Sequence, residues 1–138
     1  MRPVAAVEDV CVPVGSDADI VTARQRGRAL ALQLGFPAML ATLIATTISE
    51  LARNILLYAG RGEILLAPVE RGARRGLAVV ARDEGPGIAE VALALEDGHS
   101  TSGRLGLGLP GVRRLMDEFE IVSTPGQGTT VSARKWLP

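Results

Sequence analysis

Between Leu40 and Ile55, the residues Leu40, Leu43, Ile44, Ile48, Leu51 and Ile55 recur at helical spacing. They make one apolar face that has to be buried against another layer. The same segment carries Thr42, Thr46, Glu50 and Asn54 at i, i+4 intervals, a polar stripe along one line of the helix. Hydroxyls ending in Glu and Asn differ from the Lys and Glu of an ordinary solvated helix face.

The remaining segments supply the second layer. Val7 to Val14 reads as a β-branched strand, and Gly15-Ser16-Asp17 as a turn and N-cap. A helix follows from Ala18 to Leu34, stopped by Gly35. Pro37 begins the second helix, which runs to Tyr58. Glu63 to Val69 and Leu77 to Ala81 read as strands, and the glycine-bearing link Glu70 to Gly76 suggests an antiparallel hairpin. Asp83-Glu84-Gly85-Pro86-Gly87 is a turn, Ala89 to Leu95 a short helix, and Asp97 to Arg104 a polar, mobile loop. Pro110 opens a further helix, and Glu120 to Ser123 and Thr129 to Ala133 are strands joined by Pro125-Gly126-Gln127-Gly128. Paired strands with segregated helices predict a two-layer α/β sandwich rather than a doubly wound fold. At 138 residues, one domain spanning 1–138 is expected.

Composition narrows the function. Fifteen basic and fifteen acidic residues cancel, so no electrostatic pull toward nucleic acid or an anionic membrane is expected. Aromatics at 3% leave few platforms for stacking bases. The uncharged stretch between Arg28 and Glu50 could span a bilayer by length, but Gly35-Phe36-Pro37 breaks it and Gln33, Thr42, Thr46, Thr47 and Ser49 punctuate it. With no signal-peptide pattern, a cytoplasmic location is expected. The lone Cys11 excludes an intrachain disulfide and reads as a buried strand thiol.

Gly106-Leu107-Gly108-Leu109-Pro110-Gly111 has the letters of the dinucleotide fingerprint without its context, because a polar loop precedes it and Val131 stands near the expected acid. No glycine is followed by Lys-Ser/Thr as in a P-loop. Glycines leading into a Pro-initiated helix still make an anion site, since bare N–H groups and the helix N-terminus both favour negative charge. A flexible turn before an ordinary helix is the competing reading. Four boxes occur in order: Glu50-x-x-x-Asn54, Asp83-x-Gly85-x-Gly87, Gly106-x-Gly108 and Gly126-x-Gly128-Thr129.

With these boxes the chain resembles the GHKL ATPase superfamily. Ile48-Ser49-Glu50-Leu51-Ala52-Arg53-Asn54, Asp97-Gly98-His99-Ser100-Thr101-Ser102-Gly103, Gly108-Leu109-Pro110-Gly111-Val112, Arg114-Leu115-Met116-Asp117-Glu118-Phe119 and Lys135-Trp136 are similar to the RsbT-type switch kinases of stressosomes. The resemblance implies the Bergerat (GHKL) fold, an α/β (α+β) two-layer sandwich of a mixed β-sheet with helices on one face. It also implies Mg-ATP as the bound nucleotide. Asp83 would accept the adenine amino group, with Gly85 and Gly87 lying against the base and Thr129 at the purine edge. Asn54 would hold Mg²⁺, and Gly106 and Gly108 would cap the phosphates, with Gly103 and Arg104 in the lid. Glu50 would take the proton from an attacking hydroxyl; the alternative is a structural acid pairing with Arg53 or Arg24. Glu84 is unusual beside Asp83 and is expected to face solvent. His99 is read as incidental.

The implied activity is an ATP-dependent protein serine/threonine kinase that phosphorylates a STAS-domain antagonist (RsbS-like). A stressosome scaffold (RsbR-like) and a PP2C-type phosphatase (RsbU-like) are the further partners implied. Two alternatives stand beside it: an anti-sigma factor kinase that also sequesters a sigma factor, and a non-catalytic module that senses ATP.

Overall fold

Ser16 sets the start of the first helix, its side chain accepting the Asp19 amide at 3.4 Å, and the Gly35 amide ends it on the carbonyls of Ala31 and Leu32. A computed structural model describes residues 8–86 and 108–138 of the chain. Its elements are β1 (Val10–Val14), α1 (Asp17–Leu34), α2 (Ala38–Tyr58), β2 (Gly62–Arg71), β3 (Arg74–Asp83), α3 (Gly108–Leu115), β4 (Glu118–Thr124) and β5 (Gly128–Trp136). The expected helix over 89–95, the loop over 97–104 and His99 lie outside the described residues.

The five strands form one sheet in the order β1-β2-β3-β5-β4. All four pairings are antiparallel, so the mixed sheet is not observed among the described residues. Connectivity explains this. Two helices between β1 and β2 carry the chain down and back, which returns β2 against β1, whereas a single crossover helix gives a parallel pair. The β2–β3 and β4–β5 links are tight hairpins, the first closing on Arg71↔Arg74. β5 then inserts between β3 and β4 and separates the two strands that run the same way.

Alternation along the strands builds the core. Val12, Val14, Ile64, Leu66, Leu77, Val79, Val131 and Ala133 are buried, and so is the α2 face of Ile44, Ile48, Leu51 and Ile55. Each fully buried Ile or Leu contributes about 1.5–3 kcal/mol. α2 is the one helix among the described residues long and apolar enough to cross a membrane, and 56% of its most apolar window is buried within the fold.

The same alternation turns Cys11 outward, between Val12 and the start of the edge strand. Contrary to the expected buried thiol, Cys11 is exposed and donates to Glu63 Oε2 at 3.1 Å. That hydrogen bond to a carboxylate raises its pKa.

At the hairpin end of the sheet, Glu118 accepts from both terminal nitrogens of Arg71 at 2.6 and 3.1 Å and from Trp136 Nε1 at 2.9 Å. These contacts hold its carboxyl down at about 2. The guanidiniums of Arg71 and Arg74 both lie over the Trp136 ring, at 4.9 and 4.8 Å from its centroid. Next to it, Lys135 Nζ donates to the Leu115 carbonyl at 2.9 Å and ties the end of α3 to β5.

Candidate functional site

β3 ends at Asp83, the end of the sheet opposite the Arg71–Arg74 hairpin. Asp83 is the register partner of Thr129 on β5, so both side chains point to one face of the sheet. Asp83 Oδ1 accepts the Gly85 amide at 2.9 Å, and among the described residues its other oxygen has no partner. A Cβ on Gly85 would stand 2.6 Å from the Cβ of Ala59, so this turn fits against the end of α2 only without a side chain. Gly128, at φ 107°, lies against the Asp83 carbonyl oxygen, and any Cβ there would run into it. The turn is tied further by the Gly126 amide, which donates to the Pro86 carbonyl at 2.7 Å. Thr129 is buried, and its hydroxyl shares a 2.8 Å hydrogen bond with that of Ser123.

A pocket opens between this strand end and α2. Leu51, Asn54, Ile55, Tyr58, Ala81, Asp83, Leu109, Thr129 and Val131 line it. Its walls are apolar, and its polar groups are one carboxylate, one amide and two hydroxyls. Glu50 lies one helical turn before Asn54 and is 6% exposed. Its Oε1 meets Arg53 at 3.0 Å, and its Oε2 accepts the amide of Gly108, the first residue of α3, at 3.3 Å.

The residues singled out in the sequence therefore converge: Glu50, Asn54, Asp83, Gly85, Gly108 and Thr129 lie around the pocket and at the α3 start beside it. Gly87, Gly103, Arg104 and Gly106 lie outside the described residues. Glu84 is exposed, as expected. Arg53 rather than Arg24 pairs with Glu50. Tyr58, Ser123 and the apolar wall were not read from the sequence. Tyr58 carried a signal, because it continues the Glu50, Asn54 series by four.

The lining suits a nucleotide. Apolar walls with a carboxylate and a hydroxyl at one end match a purine that offers a donor and acceptors at its edge. Among the described residues no group of three His, Cys, Asp or Glu gathers to hold a metal. A metal held at Asn54 would therefore be shared with phosphate and water, the habit of Mg²⁺ rather than of a caged ion.

Residues 15–135 match the model of the histidine kinase-like ATPase domain family. The chain is 53% identical over 127 residues to the serine/threonine-protein kinase RsbT of Bacillus subtilis, a match covering 92% of this chain and 96% of RsbT. It is 31% identical over 98 residues to an anti-sigma F factor of Caldanaerobacter subterraneus, covering 68% of each. Among solved structures, the RsbU and RsbW domains of a Mycobacterium tuberculosis protein superpose with a TM-score of 0.67 at 18% identity. That likeness is one of fold; it covers 97% of this chain and 34% of the solved one.

Proposed function

This chain belongs to the histidine kinase-like ATPase domain family, and we propose that it is an RsbT-like protein serine/threonine kinase that takes phosphate from Mg-ATP and acts as a partner switch. The observation that carries the reading is the placement of Glu50, buried one turn before Asn54 and in contact with the α3 start, beside a pocket that ends in Asp83 and Thr129.

On this reading the pocket divides along α2. From Glu50 to Asn54 to Tyr58 the helix advances about 12 Å at ~1.5 Å per residue, on the order of the distance from an adenine to its γ-phosphate. Asp83 accepts the adenine amino group with the oxygen that Gly85 leaves open, and Thr129 meets the purine edge. This choice rejects guanine, which carries an acceptor where adenine carries a donor. Asn54 offers its amide oxygen to Mg²⁺, and the ion would offset phosphate charge during transfer. The Gly108 amide at the α3 N-terminus faces the phosphates, where backbone donors and the helix dipole favour anions. Glu50 receives the proton of the acceptor hydroxyl.

The kind of partner follows from RsbT by similarity: a STAS-domain antagonist as the phosphate acceptor, with a scaffold of RsbR type and a PP2C-type phosphatase of RsbU type in the same cytoplasmic switch. The test is incubation with Mg-ATP and such a STAS-domain protein, comparing wild type with Glu50→Ala. Phosphoserine or phosphothreonine on the partner, lost in the variant, supports the kinase. Nucleotide binding with no transfer refutes it in favour of an ATP-sensing module. Capture of a sigma factor would instead favour the anti-sigma reading, which the 31% relative represents.

A further inference from the structure

Among the described residues both oxygens of Glu50 are held, and one of these holders, Arg53, does not line the pocket. Oε2 accepts the Gly108 amide at 3.3 Å, on the side where phosphate would lie, while Oε1 is paired with Arg53 at 3.0 Å. Arg53 comes from the same helix three residues later, and its side chain is 41% exposed while that of Glu50 is 7% exposed. A partly solvated guanidinium thus reaches in to a buried carboxylate. As a stabilising device such an arrangement is weak, because i,i+3 pairs with a solvated partner gain little. As a clamp it is effective, since it fixes the rotation of the carboxyl about its last bond, and glutamate has no strong preference there of its own.

We propose that Arg53 is a positioning residue for phosphoryl transfer, holding Oε1 of Glu50 so that Oε2 is presented to the acceptor hydroxyl. The inference rests on the kinase reading above. In the step, the hydroxyl proton passes to Oε2 and the hydroxyl oxygen bonds to the γ-phosphorus. The bond from that phosphorus to the β,γ-bridging oxygen breaks, and its electron pair leaves with ADP. Arg53 keeps its proton throughout, as a guanidinium does. Arg53 does not line the pocket and on this proposal acts through Glu50.

The experiment uses the whole chain, radiolabelled Mg-ATP and a STAS-domain acceptor, with Arg53→Met, Arg53→Lys, Glu50→Gln and the Arg53→Met/Glu50→Gln double variant. Active-site concentration is set by ADP-binding stoichiometry, so that loss of folded protein is not counted as loss of rate. In Arg53→Met, kcat is expected to fall roughly tenfold to a hundredfold, the scale of a displaced general base. KM for ATP should hold within about twofold, and Arg53→Lys should recover a large part of the rate. In the Glu50→Gln background, adding Arg53→Met should change nothing further, because a residue that acts through Glu50 has nothing left to position. Three results overturn the proposal while leaving the kinase reading intact: an unchanged kcat in Arg53→Met, a loss that appears in KM for ATP, or a full additional loss in the double variant. A wild-type protein that binds ATP and transfers nothing refutes the kinase reading itself, and the role of Arg53 falls with it.

Discussion

Gly128 offers the sharpest test of how the pocket is built. It sits at φ 107°, where a Cβ-bearing residue is strained by roughly 1–2 kcal/mol. A Cβ there would also strike the Asp83 carbonyl oxygen, with the Cα of Glu84 only 2.8 Å away. Backbone atoms cannot swing aside as a side chain can, so this overlap adds roughly 1–3 kcal/mol. Alanine stiffens the unfolded chain and returns roughly 0.5–1 kcal/mol. Gly128→Ala is therefore expected to destabilise by about 1–4 kcal/mol, lowering Tm by roughly 3–15 °C for a chain of this length. Gly126, two residues earlier in the same turn, is the control: its φ is 81°, yet nothing lies within 4 Å of its absent Cβ. Gly126→Ala should cost only about 0–1.5 kcal/mol, the strain less the same unfolded-chain gain. Calorimetry gives both values, and ADP titration should show the affinity loss confined to Gly128→Ala, because only that change pushes on Asp83. Equal Tm losses in the two variants, or unchanged ADP affinity in Gly128→Ala, would refute the claim that the β5 turn sets the position of Asp83.

Asp83→Asn should weaken ATP binding by roughly tenfold to a hundredfold, the scale of a hydrogen bond to a charged acceptor, while leaving Tm nearly unchanged; calorimetric titration checks it. Glu118 has its folded pKa depressed from 4.5 to about 2, so its contribution to stability is fully present above about pH 4.5 and is lost as pH falls toward 2. The Tm gap between wild type and Glu118→Gln should accordingly be open at neutral pH and close over that window; a gap that persists unchanged at pH 2 contradicts the assignment. Thr47 is fully buried and among the described residues its hydroxyl has no hydrogen-bond partner, so Thr47→Val, which keeps the shape and removes the polar atom, should be neutral or raise stability by up to about 1 kcal/mol. A drop of more than that in thermal melting would show that the hydroxyl is satisfied.

The parts of this fold that were legible in the sequence are those set by local rules. The face of Leu40 to Ile55 was readable because a helix repeats every 3.6 residues, and the 63–69 and 77–81 strands because the link between them is too short for anything but a hairpin. Asn54 and Asp83 were readable as a pair only through resemblance, since their meeting depends on α2 crossing the end of β3, which no local pattern encodes. Sheet direction was misjudged for the same reason: β5 enters between β3 and β4 from 45 residues of chain beyond β3. Cys11 was misplaced because a valine-rich strand looks buried on both faces, although an edge strand on a one-sided sheet buries only alternate residues. The walls of the pocket were invisible for a further reason. Leu51, Ile55, Ala81 and Val131 obey the core pattern, and they do pack in the core while also lining the cavity.

The short helix α3 links the site to the rest of the sheet. Its eight residues are too few to be stable as an isolated helix, so its ends have to be held from outside. Lys135 on β5 holds the C-terminal end through the Leu115 carbonyl, and Glu50 on α2 holds the N-terminal end through the Gly108 amide. The two ties differ in kind. The first is a lysine anchored further by Asp117 at 3.3 Å, remote from the pocket. The second is the proposed catalytic carboxylate, gripping the same amide that an incoming phosphate would use. An anion that took the Gly108 amide would therefore remove one tie, leave the other, and take that donor from Glu50 Oε2 in the same event. On the proposed reading, phosphate binding and loss of the Gly108–Glu50 hydrogen bond would be one step, because a single N–H cannot serve both at full strength.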